Sequence, residues 1–311
     1  MPSQFKAAEA CERAGNTDKA GSLYAKAAEG GHAGAQCRLG CAYEYGLLGL
    51  KIDIEMALMW FKEAAKGGDL DAQWRLGQAY EDGLLGLKID IEMALMWYKK
   101  AAKGGEGYAQ FRLGGAYEDG LLGLKIDIEM ALMWYKKAAE GGNGAAQWEL
   151  GCAYECGLLG LKIDIEMALM WYEKAAKCGD GDAQWRLGKA YEYGELTLAI
   201  DLWAARNRYQ DAAEGRGVLY SFFRGHAQFR LGEAYEFGDL TMAIDFEAAF
   251  TWYQKAAEGG DHDAQRRLGW ADSEDEEDDE EDDEEDDEED DEEDDEEDDE
   301  EDDEEGEDCS R

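Results

Sequence analysis

Apolar residues recur along this chain at helical spacing, and the same alternation of apolar and polar positions returns every 37 residues. In Ala72-Gln73-Trp74-Arg75-Leu76-Gly77-Gln78-Ala79-Tyr80-Glu81, the residues Leu76, Ala79 and Tyr80 fall at i, i+3 and i+4 and form one packing face of a helix. Asp71 stands where an N-cap belongs, and Gly83 where a helix ends in the left-handed conformation. After a short loop, Leu84 to Ile89, Asp90 is the expected cap of a second helix, Ile91 to Lys103. Glu92 suits its first turn, and Gly104-Gly105 stops it. Ala94, Trp97, Tyr98, Ala101 and Ala102 make its apolar stripe. Such helices are too short to be stable alone, so stacking on neighbours has to supply the burial. Short connections imply antiparallel pairs. A single proline, Pro2, fits a chain that is helical almost throughout.

The repetition is nearly literal. Gly-Leu-Leu-Gly-Leu-Lys-Ile-Asp-Ile-Glu-Met-Ala-Leu-Met-Trp occurs unchanged at 46–60, 83–97, 120–134 and 157–171. Ala-Gln opens each unit at 35, 72, 109, 146, 183, 227 and 264, with five intervals of 37 and one of 44. Residues 1–32, with a helical run from residue 4, read as a degenerate first helical pair. Residues 33–271 read as six units and a closing half unit, Ala264 to Ala271. Residues 272–311 are a tail of different composition. The predicted fold is all-α, a solenoid of antiparallel helix pairs.

The spaced residues Leu76-Gly77, Tyr80, Gly83, Gly86, Asp90, Ala94, Trp97-Tyr98, Ala101-Ala102 and Gly104 resemble the Sel-1-like repeat, a subclass of the tetratricopeptide-type superhelix. The resemblance covers residues 33–271. The stretch from Gly83 to Asp90 is one residue longer than the usual version, and Leu87-Lys88-Ile89 stands where a proline is common, which leaves the packing of that loop open. The resemblance implies a right-handed superhelix without catalytic activity, a scaffold or adaptor that holds a peptide or helix of another protein in its concave groove. It names no partner, and the fold carries no chemistry of its own.

Positions that differ between near-identical units mark the candidate groove. In the first helix they are Cys37, Cys41 and Tyr45; Trp74, Gln78 and Asp82; Phe111, Gly115 and Asp119; Trp148, Cys152 and Cys156; Trp185, Lys189 and Tyr193; Phe229, Glu233 and Phe237. At i, i+4 and i+8 they share one stripe of the helix. A stripe tuned to a partner and a stripe free to drift both fit, and the large first members also suit the core between repeats. Arg38, Arg75, Arg112, Arg186, Arg230 and Arg267 recur beside the stripe, with Glu149 as the exception. Pairing with glutamates of neighbouring repeats is favoured over facing an acidic peptide. The fifth unit carries seven extra residues within Arg216 to Gly225, and Arg208 replaces the usual tryptophan. The insert reads either as an exposed apolar patch or as a local extension of the second helix.

Charge separates the tail from the rest. The chain holds 31 Lys+Arg and 75 Asp+Glu, and residues 272–311 hold 35 of those acids with one Arg. That tail is expected to be disordered. It suits binding of basic proteins, loose binding of divalent cations, or solubility alone, so a histone or basic-protein chaperone acting through the tail is the alternative function. Ser273 sits in an acidic context resembling the site of a casein-kinase-type enzyme. No cationic face for direct nucleic-acid binding is expected, no apolar run is long enough for a membrane span, and the start lacks a hydrophobic signal core. A cytoplasmic or nuclear location with reduced cysteines is expected.

Chemistry is sparse. His32, His226 and His262 lie in links before Ala-Gln, with no Ser or Cys partner in a recognisable motif. Cys37 with Cys41, and Cys152 with Cys156, each lie on one helix face, but a structural zinc site takes four ligands. No enzyme activity, cofactor or metal is expected from these patterns.

Overall fold

The computed structural model describes residues 2–215 and 222–270. Residues 216–221 of the insert and the tail 271–311, Ser273 included, lie outside the described residues, and so do the expectations attached to them.

Among the described residues there are fifteen helices and no strand. They are α1 (Pro2–Arg13), α2 (Thr17–Glu29), α3 (Ala33–Tyr45), α4 (Ile54–Lys66), α5 (Leu70–Asp82), α6 (Ile91–Gly104), α7 (Gly107–Asp119) and α8 (Ile128–Glu140). Then follow α9 (Gly144–Cys156), α10 (Ile165–Lys177), α11 (Gly181–Tyr193), α12 (Leu202–Glu214), α13 (Arg224–Phe237), α14 (Phe246–Glu258) and α15 (His262–Leu268). Each helix packs mainly on its predecessor and successor, and α11 also touches α13. This is the all-helical solenoid the repeats predict. No helix among the described residues is long and apolar enough to cross a membrane.

The core lies between consecutive helices, across each repeat boundary as well as within each pair. Ala94, Tyr98 and Ala101 of α6 pack with Ala109, Leu113 and Ala116 of α7, and Trp74 closes over them from α5. Small residues on both faces bring the backbones close. Gly77 is the extreme case: a Cβ there would lie 2.4 Å from the Tyr98 ring, so the ring sits directly on the α5 backbone. The mid-helix glycine costs helix propensity, and the close packing of the tyrosine offsets it.

The second-helix caps fall where the sequence puts them: Asp90 Oδ1 accepts the Met93 N–H at 3.0 Å. The first-helix cap does not. Asp69, not Asp71, caps α5, accepting the Ala72 N–H at 2.9 Å, and the helix starts at Leu70. An N-cap must be extended and reach the third helical N–H, and Asp69 meets both conditions, whereas Asp71 is already inside the first turn. Ala-Gln therefore lies in the first turn rather than at the helix start. His226 and His262, expected in links, likewise lie inside α13 and at the start of α15.

That shift explains the glutamine. Gln73 Nε2 donates to the Ala65 carbonyl at the end of α4, at 3.0 Å. Gln36, Gln110, Gln147, Gln184, Gln228 and Gln265 make the same bond to Ala28, Ala102, Ala139, Ala176, Ala213 and Ala257. The helix-end carbonyl already accepts a turn N–H, as Ala65 does from Gly68, and the glutamine of the next repeat supplies a second donor. The loop without proline is closed by its own bonds. Gly83 turns left-handed (φ +69°), the Leu84 N–H returns to Ala79, and the Asp90 N–H reaches the Tyr80 carbonyl at 2.8 Å.

Candidate functional site

The variable stripe of the first helices is graded by burial. Its first members rest on the tyrosine of the paired helix. Ring centroids are 5.2 Å apart for Trp74 and Tyr98, 5.6 Å for Phe111 and Tyr135, 5.1 Å for Trp148 and Tyr172, and 5.3 Å for Phe229 and Tyr253. Cys37 and Cys41 are buried. The middle members Gln78, Gly115, Cys152, Lys189 and Glu233 are half-buried, and Lys189 Nζ lies 5.0 Å from the Trp185 ring centre. The third members Tyr45, Asp82, Asp119, Cys156, Tyr193 and Phe237 are exposed. One stripe thus runs from packed core to free surface. Trp185 differs: Phe223, at the described end of the insert, stacks on it at 4.1 Å and 4°. Phe222 beside it is 77% exposed, and α12 ends at Glu214, no longer than the other second helices.

Beside the stripe runs a ladder of glutamates. Arg38, Arg75, Arg112, Arg186, Arg230 and Arg267 pair with Glu12, Glu44, Glu81, Glu155, Glu192 and Glu236 of the preceding helix pair. A tyrosine hydroxyl of the second helix donates to the same carboxylates: Tyr24 to Glu12, Tyr98 to Glu81, Tyr172 to Glu155, Tyr209 to Glu192 and Tyr253 to Glu236, at 2.6–2.7 Å. Burial, then the bonded glutamate, push the Tyr24 hydroxyl up to about 12. Each rung ties three helices of two repeats.

Two rungs are incomplete. On α4, Phe61 replaces the tyrosine, so Glu44 receives no hydroxyl; its Oε2 has no hydrogen bond and Arg75 stays 3.6 Å away. Arg75 Nε donates instead to Asp71, at 3.1 Å. At the second break Glu149 replaces the arginine. Glu118 keeps its bond from Tyr135, at 2.7 Å, but faces another carboxyl.

A cavity of about 500 Å³ lies at this second break, along the first turns of α7, α9 and α11. Tyr108 and Trp148 give it aromatic wall, and Glu106, Glu149, Asp180 and Asp182 give it carboxylates. Burial, then the charges of Glu118, Asp180 and Asp119, push Glu149 up to about 7. Burial, opposed in part by its capping bond to Ala183 and reinforced by Asp182, brings Asp180 to about 6. Crowded carboxyls with raised pKa values are what an approaching cation would relieve.

Among the described residues, one group of three side chains with metal-ligating atoms converges: Cys37, Cys41 and Asp71, all within 4.8 Å of one another. The sequence reading missed this because it assigned Asp71 to the cap. It also missed the Tyr–Glu bonds, although five of them share a separation of 17 residues, a readable signal.

Comparison with known proteins gives consistent relatives. The Sel1 repeat family model matches residues 6–32, 33–69, 70–106, 107–143, 144–180, 181–201 and 225–261. The crystal structure of a Sel1 repeat protein from Oxalobacter formigenes is 30% identical, with a TM-score of 0.71, and the match covers 82% of this chain and 99% of that one. The structure of c5321, a protective antigen present in uropathogenic Escherichia coli strains displaying an SLR fold, is 32% identical with a TM-score of 0.60. That match covers 86% of this chain and 56% of the other, so this chain spans about half of that relative. No curated protein matches the chain.

Proposed function

The chain belongs to the Sel1 repeat family, and on that premise we propose that it is a non-enzymatic interaction scaffold that holds a peptide or helix of another protein along the variable stripe of its first helices. The observation that carries this is the cavity at Glu149. Five arginines of the ladder are held by glutamates and Arg75 mainly by Asp71, so they are not free to bind an acidic peptide. The one missing arginine leaves carboxyls facing each other beside Trp148 and Tyr108. A lysine or arginine side chain of the partner supplies the absent cation, and the aromatic rings pack on its aliphatic stem. The exposed Tyr193 and Phe237, further along the stripe, offer contacts for neighbouring residues of the same segment.

Selection from a random peptide library in moderate salt tests this. Salt screens the polyanionic tail far more than a partly buried cavity. Enriched peptides are expected to carry Lys or Arg. Their binding should fall in Trp148→Ala and in Glu149→Arg, and persist in Lys99→Ala/Lys100→Ala on α6 and after deletion of residues 272–311. Equal binding by all four, or loss only on deleting the tail, would show that the partner does not use this face.

A further inference from the structure

The first break in the ladder lies in the pair α3 and α4, far in sequence from the acidic cavity, and its chemistry is different. In the following units the first stripe position holds Trp74, Phe111, Trp148, Trp185 or Phe229. Here it holds Cys37, and one turn later Cys41. Both are buried, 4% and 7% exposed, over the Phe61 ring that replaces the usual tyrosine. Substituting sulfur for an aromatic ring, together with loss of the tyrosine hydroxyl, removes the rung's ordinary contents and leaves two thiols there.

A third donor reaches them from the next repeat. Asp71, released from capping because Asp69 holds that place, accepts a hydrogen bond from Cys37 Sγ at 3.2 Å. The two sulfurs and a carboxylate oxygen of Asp71 lie within 4.8 Å of one another. Ligands 2.0–2.3 Å from a tetrahedral zinc ion stand about 3.3–3.8 Å apart, so small side-chain adjustments close the set. Arg75 donates to Asp71 and orients it. Two thiolates and one carboxylate around a divalent ion leave a net charge of −1, which the Arg75 guanidinium balances.

A disulfide is the competing fate of two nearby thiols. Side chains at i and i+4 of a helix have Cβ atoms about 5–6 Å apart, whereas a disulfide needs about 3.5–4.5 Å. The helix therefore holds Cys37 and Cys41 at a separation that an ion spans better than a direct S–S bond. The soft thiolates select a zinc-like ion over magnesium or calcium.

We propose that Cys37, Cys41 and Asp71 form a site for one zinc-class divalent cation, with a fourth coordination position filled by water, and that the ion clamps α3 to α5 across the repeat boundary. Binding releases the thiol protons to solvent and forms two metal–sulfur bonds and one metal–oxygen bond. No oxidant is required.

Cobalt(II) titration of the full, reduced chain tests it, because thiolate coordination gives a near-ultraviolet charge-transfer band that carboxylates of the tail do not give. One equivalent should produce the band, and zinc should displace it. Cys37→Ser/Cys41→Ser should abolish the band, while Cys152→Ser/Cys156→Ser, the other i, i+4 pair, should keep it. Asp71→Asn, a near-isosteric change at an exposed side chain, should keep the sulfur band at saturation but weaken affinity by about tenfold or more. It decides the matter if the double serine variant does not fold. Absence of the band, its survival without Cys37 and Cys41, or unchanged affinity in Asp71→Asn would overturn the site.

Discussion

Arg230 reaches back across a repeat boundary to Glu192, at 2.5 Å, while Tyr209 donates to the same carboxylate from a third helix. The Glu192 side chain is 7% exposed, the most buried carboxylate of the ladder. Arg230→Ala leaves that charge without its cation and is expected to cost about 2–3 kcal/mol, lowering the melting midpoint by about 5–10 °C. Arg75→Ala, where the glutamate is 3.6 Å away and the nearer Asp71 partner is exposed, should cost about 1 kcal/mol or less. Parallel thermal melts of the two variants check the ranking.

Glu149→Arg restores the interrupted rung by facing Glu118 with a cation. The melting midpoint should rise by a few degrees, on the order of 1 kcal/mol, while binding of basic peptides is lost. Gain of stability together with loss of binding separates a functional carboxyl from a structural one.

The pH dependence of the same residue follows from its raised pKa. Unfolded, Glu149 titrates near 4.5; folded, near 7. Between those values the folded chain holds a proton that the unfolded chain has released, so stability falls as pH rises from 4.5 to 7 and then levels. Asp180, moved from 3.8 to about 6, acts in the same direction. Glu149→Gln should match the parent chain near pH 4.5 and exceed it at pH 8, by up to about 3 kcal/mol. Denaturant midpoints at the two pH values measure this.

Adjacent glycines of α7 should respond with opposite sign. A Cβ on Gly114 would lie 2.6 Å from the Tyr135 ring, whereas one on Gly115 comes no nearer than 3.4 Å to the Tyr135 hydroxyl. Gly114→Ala is expected to destabilise by about 1–3 kcal/mol. Gly115→Ala is expected to stabilise by about 0.5–1 kcal/mol through helix propensity. Melting both variants suffices.

The closing helix α15 caps the array. Gln265 bonds to the Ala257 carbonyl, Ala264 is fully buried, and Arg267 completes the rung at Glu236. A chain ending at residue 259 should melt below one ending at 270, because it exposes Ala256 and Ala257. Equal midpoints would mean that α14 needs no cover.

Much of this protein is legible without coordinates. Helix pairs, their antiparallel order and the second-helix caps follow from a period of 37 and from local rules of capping and amphipathicity, since such signals lie within one turn of each other. The pairing of the arginines with glutamates was legible too, because repetition exposes any position held constant. What only the tertiary structure decided are relations across repeat boundaries. The link geometry gave the cap to Asp69 and freed Asp71 to meet Cys37, 34 residues away. Stacking turned one arginine-to-glutamate change at residue 149 into an acidic cavity shared by three helices. A helix records its own face in its sequence; which neighbour fills or leaves open the space opposite depends on how successive units rotate and close, and no local pattern carries that information.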